Sequence, residues 1–381
     1  MGDKNNENSS VSRQLFIIYL VEENMRIGLL ITLLMVSVIS CKVPYSKKDV
    51  FEEKASLPKD EAPHFKNSLE WWYFTGHLTD EEKEKTIGVE YVVFHFNPTN
   101  AKGGWMVNMA VSDPENEAFY YDHKFFPKSK HEFEDLPLNF NWSKRQFNSS
   151  LQGQSGNYQI EAQFSKDSIA MNLSTRAEKE VVLHDGVGYE NYGDLAKAGY
   201  YSFPRLKAKG DINLNGETYN VNGNLWYDRQ WNCSGVFDKK VAWDWFSIQF
   251  EETESELMLY RLYSLKDSTV IFGGTYTNAK NESVYLENDE INIEELAYWK
   301  SPSSDANYPI EWKLEVPSLE ISTNLKTLFP NQELELKFGP LTKFYYWEGM
   351  CEATGTIQEQ EVTGTSYVEM TNRFRIKESK K

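Results

Sequence analysis

The sequence predicts an all-β protein of two domains behind an N-terminal leader, and three observations predict it. The chain has 381 residues, too many for one compact core and about right for two domains after a leader. Aromatic residues make up 14% of it, and aromatics favour strands. Short runs rich in Val, Ile, Tyr, Phe and Trp are broken by Gly, Asn and Asp, and few stretches carry a helical period. Such spacing is typical of a sandwich or barrel.

The leader comes first. Met25-Arg26 opens an apolar run from Ile27 to Ile39 that ends Ser40-Cys41. A basic start, an apolar stretch and a small residue before the cut are the parts of a secretory signal. The run is too short to span a membrane as a helix, which needs roughly 20 apolar residues. Cys41 after a small residue resembles a bacterial lipobox. We therefore expect residues 1–41 to be a leader with Met25 as its start, and Cys41 to be lipidated. The expected location is the bacterial cell envelope, with the protein anchored by lipid and facing the periplasm or the cell surface. Residues 42–63 are rich in Lys, Glu and Asp without periodicity, and read as a tether.

Strands are expected over Thr86 to Phe96, Trp105 to Val111, Gln159 to Phe164 and Ala170 to Thr175, then Val241 to Phe250 and Glu256 to Ser264. Asn215-Gly216 reads as a hairpin turn. Tyr189 to Gly199 reads as a short helix, and Glu290 to Trp299 as a strand. The expected domains cover residues 64–235 and 236–377.

Composition excludes some partners. The formal net charge is -17, the wrong sign for a nucleic-acid surface. The six histidines are scattered through the first half and form no HxH or HExxH pair, so neither a metal nor another cofactor is expected. Besides Cys41 there are Cys233 and Cys351, and the spacing does not require them to pair.

Two aromatic clusters carry the chemistry. One is Glu70-Trp71-Trp72-Tyr73-Phe74-Thr75-Gly76-His77-Leu78; the other is Trp226-Tyr227-Asp228-Arg229-Gln230-Trp231, followed by Trp243-Asp244-Trp245-Phe246. Each Trp must bury its ring and find a partner for its N–H. Packing such rings beside acids and an Arg suits a pocket for a large apolar molecule, touched by a few polar groups. Strand alternation puts Trp226, Asp228 and Gln230 on one face, and Tyr227, Arg229 and Trp231 on the other. It also puts Asp244 with Phe246, Ile248 and Phe250. An acid on an apolar face is costly unless paired or used. For Glu70, Asp228 and Asp244 taken singly, pairing with Arg229, Lys240 or backbone N–H groups is the simpler account; taken together they favour a pocket. His95 shares a strand face with Val89, Tyr91 and Val93 and ranks below Asp228. Glu348, in Tyr346-Trp347-Glu348-Gly349, is a matching acid among aromatics. It either buttresses the contact between the domains or lines a second pocket.

At these residues the chain resembles the lipocalin-like CrtC/AttH family, which includes carotenoid 1,2-hydratase and proteins called secreted hydrolases. The motifs are Glu70-Trp71-Trp72-Tyr73 with Gly76-His77-Leu78, Tyr200-Tyr201-Ser202, Gly223 to Trp231, and Asp244-Trp245-Phe246. Tyr308 to Trp312, Tyr346 to Gly349 and Gly364 to Glu369 follow in order. The resemblance implies two consecutive lipocalin-like β-barrels. It also implies that Asp228 matches an acid held to be catalytic in the hydratases, where an aromatic stands two positions earlier, here Trp226. Arg229-Gln230-Trp231 is closer to the AttH-type branch.

Hydration of a C=C bond needs a proton on carbon and then water on the resulting cation. A buried carboxylic acid can supply the first, and aromatic faces stabilise the second. Asp228 is thus the expected catalytic acid, for hydration or for isomerisation of the bound molecule. Glu70, Trp72, Tyr73, His95, Tyr200, Trp226, Tyr227, Arg229, Trp231, Asp244, Trp245 and Glu348 are the expected ligand-binding residues. The expected partners are an apolar, terpenoid- or lipid-like small molecule and, through the lipid anchor, the membrane. No GxSxG motif supports a hydrolase. The alternative is a non-catalytic carrier, or an envelope or adhesion lipoprotein, that binds the same kind of ligand.

Overall fold

The computed structural model describes residues 54–97, 103–127, 136–166, 168–193, 195–232, 241–267, 269–338 and 342–373. Cys41 with the leader, most of the tether, Cys233 and Lys240 lie outside the described residues. Among those described there is no α-helix, only short 3-10 turns before and between the strands.

The first sheet contains β1 (Leu69–Asp80), β2 (Lys85–Phe96), β3 (Gly104–Asp113), β4 (Ala118–Pro127), β5 (Leu138–Lys144) and β6 (Phe147–Gln154). It continues with β7 (Asn157–Gln163), β8 (Ile169–Ala177), β9 (Val182–Leu183), β10 (Tyr189–Asn191), β11 (Lys197–Leu214) and β12 (Glu217–Trp231). The second contains β13 (Val241–Phe250), β14 (Glu256–Ser264), β15 (Val270–Thr277), β16 (Ser283–Leu286) and β17 (Asn292–Lys300). Its remaining strands are β18 (Asn307–Val316), β19 (Ile321–Thr327), β20 (Glu333–Phe338), β21 (Thr342–Ile357) and β22 (Gln360–Thr371). In both sheets the opening strand pairs antiparallel with the closing one, β1 with β12 and β13 with β22. The fold is the expected one, all-β with two lipocalin-like sheets in succession.

Alternation along the strands builds the packing. Inward positions of the first sheet, including Trp72, Phe74, Tyr91, Trp105, Phe140 and Tyr227, meet in one cluster drawn from strands all around it. Phe246, Ile248, Trp312 and Trp347 do the same in the second sheet. The outward positions of β1, β11 and β12 also carry large aromatic side chains, among a few buried polar ones, because they are covered. Tyr73, Tyr200 and Trp226 pack on Trp243, Trp245, Met258 and Tyr260 of the second sheet. A separate patch joins Met106 and Ala110 of β3 to Leu334, Leu336 and Tyr346. At this layer β13, most of β1 and the second halves of β12 and β22 are therefore buried on both faces.

Most expected strands stand where the sequence puts them, and Val241–Phe250 and Glu256–Ser264 match to the residue. Asn215 and Gly216 form the β11–β12 turn with φ of 55° and 93°, as a two-residue hairpin turn of this type requires. Tyr189 to Gly199 is not a helix. It forms a small hairpin in which Tyr189 pairs with Gly199, turning near Gly193 at φ 61°. Its aromatic residues are held by strands on both sides, which overrides local propensity.

Candidate active site

The residues singled out by the sequence fall into three places. The first is the interior of the first sheet. Arg229 is fully buried, and its Nη2 donates to Glu70 Oε2 at 2.5 Å. The guanidinium lies 3.9 Å from the Trp72 ring, close enough for cation–π attraction. His95 Nδ1 lies 2.9 Å from Glu70 Oε1. Burial alone would raise the Glu70 pKa, but the Arg229 charge and the His64 and His95 contacts outweigh it and hold the carboxyl well below the usual range. The same groups fasten the segment before β1. The His64 N–H donates to Glu70, and Arg229 donates to the carbonyls of Glu61 and Ala62. Trp231 stacks on the His64 ring at 4.9 Å. Glu70, Trp72, His95, Arg229 and Trp231 thus form a clamp on residues 61–64, and Tyr227 packs deeper on Phe74 at 4.6 Å.

The second place is the second sheet. Asp244 is buried and accepts from Arg261 Nε at 2.9 Å, Arg373 Nε at 2.7 Å and the Tyr263 hydroxyl at 2.9 Å. Its negative charge is matched by two arginines.

The third lies between the sheets. Tyr73 and Asp228 are register partners on β1 and β12 and face the second sheet together. Asp228 is 4% exposed. Its Oδ2 accepts from the Tyr200 hydroxyl at 2.6 Å, and its Oδ1 from Ser202 Oγ at 2.5 Å and Trp226 Nε1 at 2.6 Å. Every one of these donors is neutral. Burial pushes the Asp228 pKa up to about 6, against the pull of the three donors. Trp245 Nε1 donates to Tyr200 at 3.0 Å, and Tyr73 packs edge-on against Trp245 at 5.6 Å.

More acids face the same layer. The Tyr73 hydroxyl donates to Glu348 Oε2 at 2.7 Å, so Glu348 joins the two sheets. Its other oxygen is buried without a hydrogen-bond partner. Glu369 is the register partner of Glu348, and Glu90 stands on β2 opposite Thr75. Burial, followed by repulsion from Glu369, raises the pKa of Glu90 and Glu348 far above the carboxylate range. Glu369 is pushed up to about 7 by burial, with the Asp228 charge adding to it.

Of the expected residues, Tyr73, Tyr200, Trp226, Asp228, Trp245 and Glu348 therefore meet at one place. Ser202, His184, Glu90 and Glu369 join them without having been singled out. Glu90 was detectable as the one acid in Gly88-Val89-Glu90-Tyr91-Val92-Val93-Phe94, on the strand face opposite His95. Nothing local in the sequence marks His184.

A model of the AttH-like family matches residues 50–373. The chain belongs to the AttH-like family. A solved structure assigned as AttH from Nitrosomonas europaea superposes with a TM-score of 0.71 at 23% identity, covering 85% of this chain and 98% of that one. Kievitone hydratase from Nectria haematococca gives a TM-score of 0.63 at 16% identity, covering 84% of this chain and 93% of that one. At these identities the likeness concerns the fold. Among curated proteins, the dehydratase asqC of Emericella nidulans is 22% identical over 219 residues, 55% of this chain. The match spans 60% of that relative's length. This AttH-like chain thus resembles a dehydratase in sequence and a hydratase in fold. Among its described residues no group of His, Cys, Asp and Glu could hold a metal, and no helix is long and apolar enough to cross a membrane.

Proposed function

We propose that this AttH-like protein binds an apolar small molecule between its two sheets and adds or removes water across a C=C bond, with Asp228 as the acid and base. The observation that carries this reading is the contrast among the three acids. Glu70 and Asp244 are tied to arginines, whereas Asp228 is buried among neutral donors. An acid with a pKa near 6 is effective around neutral pH, because both protonation states are within reach. The hydratase and dehydratase relatives support the reaction class.

In the hydration direction the carboxyl O–H bond breaks and a C–H bond forms, leaving a carbocation. The faces of Trp226, Trp245 and Tyr73 stabilise that cation. Water adds its oxygen to the cation and returns a proton to the Asp228 carboxylate. Dehydration runs the same steps backwards.

The test is Asp228→Asn, which keeps the shape and an acceptor. We expect a near-normal melting curve and unchanged binding of an anilinonaphthalene sulfonate probe. We also expect a loss of roughly 10²–10⁴-fold in turnover of the apolar compound that co-purifies with the protein, the usual worth of general acid catalysis. Unchanged turnover overturns the assignment. Co-purified compounds that the wild type binds without converting would make the protein a carrier.

The envelope location rests on Met25 to Cys41. We propose that a lipid on Cys41 holds the protein at a membrane, together with a second acyl chain, since one chain binds only marginally. Cys41→Ala should move the protein to the soluble fraction, and an unmoved membrane fraction rejects the anchor.

A further inference from the structure

A line of hydrogen bonds runs from Asp228 out of the inter-sheet layer to the outer strands of the second sheet. Ser202 Oγ lies 2.5 Å from Asp228 Oδ1 and 2.7 Å from His184 Nε2. His184 Nδ1 lies 2.8 Å from Thr275 Oγ1. All four residues are buried. Asp228 and Ser202 sit on β12 and β11 of the first sheet, His184 on the short turn after β9, and Thr275 on β15. The His184 ring also packs against Tyr200 at 4.0 Å. It is boxed in on three sides, and burial lowers its pKa to about 3.

The directions of these bonds are informative. Indole N–H groups only donate, so Trp226 always points its proton at Asp228 Oδ1 and Trp245 always points its proton at the Tyr200 oxygen. That arrangement leaves the Tyr200 proton for Asp228 Oδ2. On the Ser202 side every member can donate or accept: two hydroxyls and a neutral imidazole, which donates from one nitrogen and accepts at the other. Only this side can reverse.

We propose that Ser202, His184 and Thr275 form a proton relay that recharges Asp228, with His184 switching tautomer while staying uncharged. When Asp228 is ionised, Ser202 donates to it, His184 donates to Ser202 from Nε2, and Thr275 donates to His184 Nδ1. Recharging moves each proton one place. The Ser202 proton passes to Asp228 Oδ1, the His184 Nε2 proton to Ser202, and the Thr275 proton to Nδ1. A proton that enters the line at Thr275, when this buried end opens to water, replaces the one that leaves it. Net, one proton enters at Thr275 and one appears on Asp228, and no atom keeps a charge that it lacked. Ser202, His184 and Thr275 are positioning residues, because they act through Asp228.

The relay rests on the reading of Asp228 as the acid, but it can be tested without a substrate. The experiment is nitrogen NMR of the full chain labelled in histidine, recorded from pH 5 to 8. The relay requires His184 to carry its proton on Nδ1 while Asp228 is protonated and on Nε2 once it is ionised, with no imidazolium in between. The switch should follow the carboxyl band of Asp228 in infrared spectra. Other ionisable groups bear on the line: Glu369 from β22, Tyr73 from β1, Tyr200 from β11, and Asp185 and Glu190 beside His184. Glu369→Gln should therefore retain the switch, and Asp228→Asn should abolish it. Ser202→Ala should uncouple the tautomer from pH, with a melting curve taken to show that the variant is folded. A single tautomer across the range, a protonated imidazole, or a switch that survives in folded Ser202→Ala each overturns the relay. A working switch in a protein without turnover would leave the relay standing and reject the catalytic reading instead.

Discussion

The Tyr73 hydroxyl donates to Glu348 Oε2 at 2.7 Å, across 275 positions of the chain, and so joins the first strand of one sheet to a strand of the other. The bond lies inside the inter-sheet layer, where the second Glu348 oxygen has no partner. Tyr73→Phe should cost about 1–3 kcal/mol, the usual penalty for orphaning a buried polar group. Glu348→Gln keeps an acceptor for Tyr73 and replaces a carboxyl that burial already holds uncharged at pH 7, so it should be close to neutral. Urea unfolding at pH 7 distinguishes the two. A loss of more than 2 kcal/mol in Glu348→Gln would mean that the carboxylate itself is needed.

Two part-buried acids set a pH dependence, with opposite signs. Glu369 has a folded pKa of about 7 against an ordinary 4.5. Its favourable contribution is complete below pH 4.5 and is lost as pH rises through 7. Glu295 behaves oppositely. Its two arginines outweigh burial and hold it at about 2, so its contribution is present above 4.5 and is lost as pH falls. Glu369→Gln should therefore match the wild type near pH 4 and become the more stable protein by pH 8. The gap should be at most about 3 kcal/mol, from the pKa difference. Parallel stability curves for the two proteins would show that Glu369 does not titrate in this range.

The clamp on residues 61–64 depends on a buried ion pair. Arg229→Ala strands Glu70 and should cost about 3–5 kcal/mol. It should also free the segment before β1, making residues 54–68 sensitive to limited proteolysis before the sheets unfold. Intact digestion kinetics in a destabilised variant would show that other contacts hold that segment.

Two glycines lie under tryptophan rings. A Cβ on Gly199 would meet Trp231 at 1.9 Å, and one on Gly349 would meet Trp347 at 1.8 Å. Gly199→Ala and Gly349→Ala should each cost about 1–3 kcal/mol by overpacking, read as a lower melting temperature. Unchanged melting would mean that the rings can move aside.

Alternation made the faces readable. Asp228 and Arg229 are neighbours in sequence, yet they point to opposite sides of β12, one into the inter-sheet layer and one into the first interior. The expected set of site residues nevertheless mixed two environments, because an acid beside tryptophans reads alike whether an arginine reaches it or not. Glu70 and Asp244 find their arginines 159 and 17 positions away, a relation fixed by strand pairing rather than by local pattern. The two roles left open for Glu348 had the same cause, since its partner Tyr73 belongs to the other sheet. His184 was overlooked because a histidine after a two-residue strand carries no periodic signal; its place follows from where β11 and β15 meet.

The pairing of β1 with β12 also bears on how the chain is made. Glu70 waits for Arg229, 159 residues later, and a ribosome adding about 5–20 residues per second needs on the order of ten seconds to deliver it. Throughout that interval Trp71, Trp72 and Tyr73 emerge on a strand with one edge unfilled and both faces apolar. The nascent protein is thus most exposed to wrong partners in its first strand. Slower synthesis of the stretch before β12, or a shortage of chaperones, should lower the yield of folded protein more than any change in the finished barrel's surface.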